Sequence, residues 1–159
     1  MQVAIDKLRP GLSHDERELV STLADGAPGR ALAFAEAGAA GMYRDIVEIL
    51  NGLPRLDSGR LFAFAEKNGK LAVESGIRLF STLIMKIGER VLRGAFEAGS
   101  VLTSEALLMR KLRSAIPLEN WVQLLERLRQ DIDRAEELNL DKKHLILATF
   151  FAIEESAQR

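Results

Sequence analysis

Side chains able to do chemistry are few in this 159-residue chain. There are two histidines, His14 and His144. They lie near the expected starts of two different helices. They therefore read as polar residues beside caps rather than as a general base or a metal ligand pair. The adjacent carboxylates Glu136-Glu137 and Glu154-Glu155 have the residue type for acid–base work, which needs two carboxyls held in different environments. Neighbours on a helix diverge by about 100°, so both pairs read as solvated faces. With no cysteine, the chain has no thiolate nucleophile, thiolate metal ligand or disulfide. It also lacks a Gly-x-x-x-x-Gly-Lys-Ser/Thr loop to cradle phosphates. The expectation is no catalytic residue, no metal site and no cofactor.

Two further groupings have the residue types for binding. Lys86, Arg90 and Arg93 recur along one face of a helix. They read as a solvated stripe paired locally with Glu89 and Glu97, with an acidic partner surface as the alternative. Trp121, Phe150 and Phe151 could stack on bases, but their helical spacing places them in a core. The charge balance weighs against nucleic acid. Twenty-two basic residues against 23 acidic ones leave a net charge of −1, where a phosphate-binding domain is usually strongly basic. Apolar stretches such as Leu83–Met85 and Leu145–Ile153, the latter with Thr149 inside, fall well short of the roughly 20 residues that span a bilayer. The first residues, Met1–Lys7, carry no apolar signal-peptide core, and an intracellular protein fits.

The elements that must position these residues are helices. An apolar share of 47% against 28% charged is that of a globular chain, long enough for one core or a core plus a small subdomain. Residues 1–12 read as an initial strand or linker broken at Arg9-Pro10-Gly11. Ser13 with Glu16 three residues on is a capping box, opening a helix to about Ala24 with Leu19, Val20 and Leu23 inward. Gly26 stops it, and Pro28 suits the first turn of a second helix with Ala31, Leu32, Phe34 and Ala35 on its apolar side. Small residues at Ala37–Gly41 read as a flexible boundary. A helix follows over about 42–52 with Ile46, Val47, Ile49 and Leu50 inward. Asp57-Ser58 starts another, with Leu61, Phe62, Phe64 and Ala65 apolar, and Asn68-Gly69 ends it.

Two long helices are expected next. Over 70–98, Val73, Ile77, Phe80, Ile84, Ile87 and Val91 step by three and four, widened by Leu79, Leu83 and Leu92. Over 118–138 the stripe is Leu118, Trp121, Leu125, Leu128, Ile132 and Ala135, with Arg127–Asp131 and Arg129–Asp133 as i,i+4 pairs. Between them Thr103 is expected to cap a helix over about 104–115, stopped by Pro117. Asp141 caps a last helix that is apolar on most sides through Leu145, Ile146, Leu147, Phe150, Phe151 and Ile153, and so belongs at the centre of the bundle.

The order of several blocks resembles a known family. Leu23-Ala24-Asp25-Gly26-Ala27-Pro28-Gly29-Arg30-Ala31-Leu32 resembles the lid of the delta-prime subunit of the bacterial DNA polymerase III clamp loader, an AAA+-type protein. Met42-Tyr43-Arg44-Asp45 falls where that family's collar domain begins. Asn139–Lys143 and then Phe150–Glu154 resemble its last helix and lead-in. The similarity runs along almost the whole chain. It implies an all-α fold with a lid remnant over 1–39 and a collar bundle of about five to six helices over 40–159. The family's N-terminal nucleotide-binding-type domain is not in this sequence, so the chain is expected to be a fragment of a longer subunit.

In the ATP-binding subunits the lid motif resembles Gly-x-x-Arg-x-Ala-Leu, and its arginine reaches the nucleotide phosphates. Aligning Gly26 and Ala31-Leu32 puts Gly29 at the sensor arginine position, with Arg30 one residue later and about 100° round the helix. The resemblance thus implies a subunit that does not hydrolyse ATP. Its collar would pack beside the delta and gamma/tau subunits, so that the complex can load the sliding clamp onto primed DNA. It implies a cytoplasmic, replisome-associated place within a DNA-directed DNA polymerase holoenzyme. For the fragment itself it implies no intrinsic activity, no sequence-specific nucleic-acid contact and no membrane contact. The alternatives are the corresponding piece of a gamma/tau-type ATPase and an unrelated helical adaptor.

Overall fold

The structure, a computed structural model, describes residues 10–72, 76–94 and 103–159. The fold is all-α, with no strand among the described residues. In chain order the helices are α1 (His14–Leu23), α2 (Pro28–Ala37), α3 (Ala39–Leu50), α4 (Ser58–Gly69), α5 (Ile77–Arg93), α6 (Thr103–Ala115), α7 (Leu118–Leu138) and α8 (Lys142–Gln158). No helix is long and apolar enough to cross a membrane among the described residues. The expected strand or linker at the start falls largely on residues 1–9, outside the described residues, as do Val73 and Glu97.

Several helix starts are the capped ones the sequence predicts. Glu16 N donates to Ser13 Oγ at 3.2 Å and Ser13 N donates to Glu16 Oε2 at 2.9 Å, which completes the capping box of α1. Asp57 accepts from Arg60 N at the start of α4, and Asp141 accepts from Lys143 N at the start of α8. Asn139, at φ 50, closes α7 in the left-handed conformation that asparagine tolerates.

Three expectations are corrected. The helix expected over 42–52 is α3 and begins at Ala39, because Gly38 at φ 76 both ends α2 and opens α3. Ala39 and Ala40 are then its buried first turn rather than a flexible boundary. The helix expected over 70–98 is α5 and spans only Ile77–Arg93. At its front, a Cβ on Gly76 would lie 2.7 Å from the Asn68 carbonyl oxygen, so this close crossing needs a glycine. At its end Gly94, at φ 71, turns the chain out of the helix, and Arg113 donates to the Val91 carbonyl at 3.1 Å to satisfy that last turn. Finally, Phe62, Leu118 and Phe151, expected on apolar faces, are 47%, 40% and 44% exposed. Phe151 follows the fully buried Phe150 by one residue and so points about 100° away from it.

One buried cluster runs from Leu19 on α1 to Ile153 on α8, across both sides of the Gly38 joint. Helix α8 packs against α4, α5, α6 and α7, in the central place its composition predicts. Phe64 of α4, Phe80 of α5 and Phe150 of α8 form a three-ring contact at 5.5–5.9 Å between centroids. In the first half α3 plays the central part, touching α1, α2, α4, α5 and α6. The 51–57 loop contains a cis Leu53–Pro54 bond and is fastened from two helices. Lys111 donates to the Asn51 carbonyl, Gln158 donates to the Pro54 carbonyl, and Glu154 accepts from Leu56 N, each at 2.8 Å.

Candidate functional site

The polar groups that the fold gathers lie where α1, α3, α5 and α6 meet. Glu105 stands in the first turn of α6 on the stripe completed by Leu108, Met109, Leu112 and Ile116, all buried. Its Oε1 accepts the Tyr43 hydroxyl of α3 at 2.7 Å and pairs with the Arg90 guanidinium of α5. Glu105 and Tyr43 are fully buried, and the Arg90 side chain is 17% exposed. The other oxygen, Oε2, has no hydrogen-bond partner among the described residues. Burial raises the Glu105 carboxyl pKa above the ordinary glutamate value, against the Tyr43 hydrogen bond and the Arg90 charge, which pull it down. Burial first, and the Glu105 charge second, hold the Tyr43 phenol far above its ordinary range, so it remains a donor. A substrate has no access to either group. The trio is a clasp that ties three helices together and fixes Arg90 in one orientation.

Arg90 also forms one wall of an open cleft of about 180 Å³, with Thr22, Leu23, Asp25, Lys86, Glu89 and Arg93. Positions 86, 89, 90 and 93 share one face of α5. Opposite them, the α1–α2 joint carries two left-handed residues in a row, Asp25 at φ 51 and Gly26 at φ 79. This turn aims the Asp25 carboxylate back at α5, where Lys86 Nζ donates to it at 2.6 Å and Arg30 Nη1 lies 3.5 Å away. The Lys86 hydrogen bond, followed by the charges of Lys86, Arg30 and Arg93, lowers the Asp25 pKa below the ordinary aspartate value despite some desolvation.

The stripe read as solvated is thus only partly so. Arg93 is exposed, but Lys86 is 13% exposed, and the partners of Lys86 and Arg90 are Asp25 and Glu105 on other elements. Sequence spacing sees pairs within one helix, whereas these bonds cross 61 residues in one case and link α5 to α6 in the other. From the sequence Glu105 has no expected role, and Tyr43 has only a place in the Met42–Asp45 block. The signal for Glu105 is a carboxylate in register with a buried apolar stripe.

The remaining candidates stay apart. Gly29 lies exposed in the first turn of α2, and a Cβ there would meet nothing within 4 Å. His14, exposed on α1, has its ring 4.0 Å from Glu18, and His144 is exposed on α8. Glu136 accepts from Arg78 at 2.8 Å, while Glu155 pairs with Arg159 and Glu154 holds the 51–57 loop. No group of three or more His, Asp or Glu able to hold a metal ion occurs among the described residues. Trp121 is wholly enclosed, a core position as its spacing predicts. Compared with protein-family models, curated proteins and solved structures, the chain matches none.

Proposed function

We propose that this chain is an assembly module, the lid and collar of a delta-prime-type clamp-loader subunit that binds neighbouring subunits and carries no chemistry of its own. The observation that carries this reading is the outer surface of α6, α7 and α8. Leu107, Val122 and Leu138 are 60%, 52% and 62% exposed, Leu140 is 48% exposed, and Leu118 and Phe151 are 40% and 44% exposed. Large apolar side chains left in water are among those that a protein–protein contact covers. A ring contact of standard size buries roughly 1,200–2,000 Å² in total, which the flanks of α7 and α8 could supply. The clasp and the charged cleft add support of a second kind, because they brace helices and offer no reacting group to a substrate. The order of the family-like blocks supports delta and gamma/tau subunits as the neighbours, in a ring that loads the sliding clamp onto primed DNA.

A competition experiment tests it. Excess chain is added while gamma/tau, delta and full-length delta-prime subunits of the same organism are mixed. Several contacts act together in a closed ring, so competition within the full mixture is more informative than a pairwise titration. The chain is expected to enter the complex in place of full-length delta-prime on size-exclusion chromatography, with clamp loading falling in proportion. If it never co-migrates at any excess, the clamp-loader reading fails and the helical adaptor takes its place.

A further inference from the structure

We propose that the basic cleft beside the α1–α2 joint is a docking site for an acidic protein segment, and that Asp25 occupies it until such a segment arrives. It is independent of the clamp-loader reading, since it concerns one cleft and can be measured on this chain alone. The cleft already holds one carboxylate, which displays the chemistry it accepts: Lys86 Nζ at 2.6 Å and Arg30 Nη1 at 3.5 Å converge on Asp25. Behind them Arg90 is held by the buried Glu105, so its guanidinium is fixed before any ligand comes. Arg93 stands one turn beyond Arg90 in the same wall, exposed, so the positive face extends past the point Asp25 reaches.

The internal occupant is weakly held. The Asp25 side chain is 59% exposed and its backbone sits at φ 51, where a residue other than glycine is uncommon. An ion pair so open to water contributes little, and an incoming carboxylate can replace it at small cost. The charges of the cleft are mixed, with Glu89 in the same wall, and the whole chain carries −1. A phosphate backbone would meet repulsion there, whereas a peptide with spaced carboxylates can pair with Lys86 and Arg93 and avoid Glu89. The favoured occupant is therefore an acidic peptide segment rather than a nucleic acid.

The test is fluorescence anisotropy of a labelled peptide whose glutamates are spaced by glycine and serine, titrated with the full chain at low salt. Asp25→Asn keeps the side-chain shape and tolerates the left-handed backbone, so it vacates the charge at small cost to the fold. It is expected to bind about two- to fivefold more tightly than the parent. Adding Lys86→Gln and Arg93→Gln to that variant should lower the affinity about tenfold. The same charge loss at Arg127 and Arg134, which do not line this cleft, should leave it unchanged. Raising salt to about 0.5 M should remove binding. No saturable binding by Asp25→Asn, or affinity no better than the parent's, overturns the proposal. So does an equal loss in the Arg127/Arg134 control, or tighter binding of single-stranded DNA than of the peptide. If the triple variant unfolds by circular dichroism, the comparison of Asp25→Asn with the parent still decides.

Discussion

The hydroxyl of Tyr43 on α3 donates to Glu105 on α6 at 2.7 Å, across 62 positions of sequence, with both side chains closed to water. The same carboxylate neutralises Arg90 of α5, so one acidic group holds three helices. Tyr43→Phe keeps the ring packing and removes the one hydroxyl, leaving a buried oxygen short of its donor. The expected loss is about 1–3 kcal/mol. Glu105→Ala leaves a largely enclosed guanidinium without its counter-charge and should cost more, about 3–5 kcal/mol. Urea unfolding of the two variants measures both. A Tyr43→Phe chain as stable as its parent would mean that this bond contributes nothing to the fold.

The pH dependence should have two limbs of opposite sign. The Glu105 carboxyl is held above its ordinary value of 4.5, chiefly by burial. The folded chain then keeps a proton that the unfolded chain has already lost. That contribution is full below 4.5 and is lost as pH rises through the window above it. Glu66 behaves in the opposite way. The hydrogen bonds from Lys143 and then Lys70 bring its carboxyl down to about 2 from 4.5, so its contribution is present above 4.5 and is lost as pH falls toward 2. Glu66→Gln should flatten the acid limb below 4.5, and Glu105→Gln should flatten the decline above it. Melting temperatures recorded from about pH 2 to 7 check both. Parallel profiles for Glu105→Gln and the parent would remove Glu105 from the titration.

Phe150 is fully buried and its ring meets Phe64 at 5.7 Å and Phe80 at 5.5 Å. Phe150→Ala would empty the point where α4, α5 and α8 converge, at an expected cost of about 3–5 kcal/mol. For a domain of this size that is a large share of the total stability. Phe151→Ala, one residue on and 44% exposed, should stay within about 1 kcal/mol. The contrast between these neighbours, read by thermal melting, separates core from surface on α8. Equal effects would mean that Phe150 and Phe151 contribute alike to the core.

Periodicity and caps made most of the helical frame legible. The Ser13 box, Asp57, Asp141 and the α7 stripe from Trp121 to Ala135 rest on local spacing, and each has the role its residues predict. The errors arise where the deciding contact is distant. Gly76, at the start of α5, must be a glycine because the Asn68 carbonyl crosses close to it, and spacing alone carries no trace of that crossing. The Asp25-Gly26 turn was legible as a stop, but its aim toward Lys86 depends on where the joint stands opposite α5. Likewise, Glu105 and Tyr43 meet only after α3 and α6 have packed. The candidate site is built from such long-range pairs, and this is why so little of it was visible in the sequence.

Gly29 and Gly38 lie in one helix–joint–helix stretch and should respond oppositely to substitution. Gly29 is helical with open space where a Cβ would go, so Gly29→Ala should stabilise the chain by about 0.5 kcal/mol through the unfolded state. Gly38 has equal room but sits at φ 76, so Gly38→Ala forces an L side chain into the left-handed region and should cost about 1–2 kcal/mol. Room is equal at the two sites, so the sign depends on backbone conformation alone. Gly29 also stands where the clamp-loader resemblance puts a nucleotide-sensing arginine, which makes Gly29→Arg the functional counterpart. The open space should accept the longer side chain with the fold intact. Titration with a fluorescent ATP analogue should nevertheless stay flat up to millimolar concentration, because the sequence contains no phosphate loop to supply the rest of a site. Saturable micromolar binding by Gly29→Arg would show that one arginine suffices. The chain would then have to be read as the lid of an ATPase that has lost its sensor.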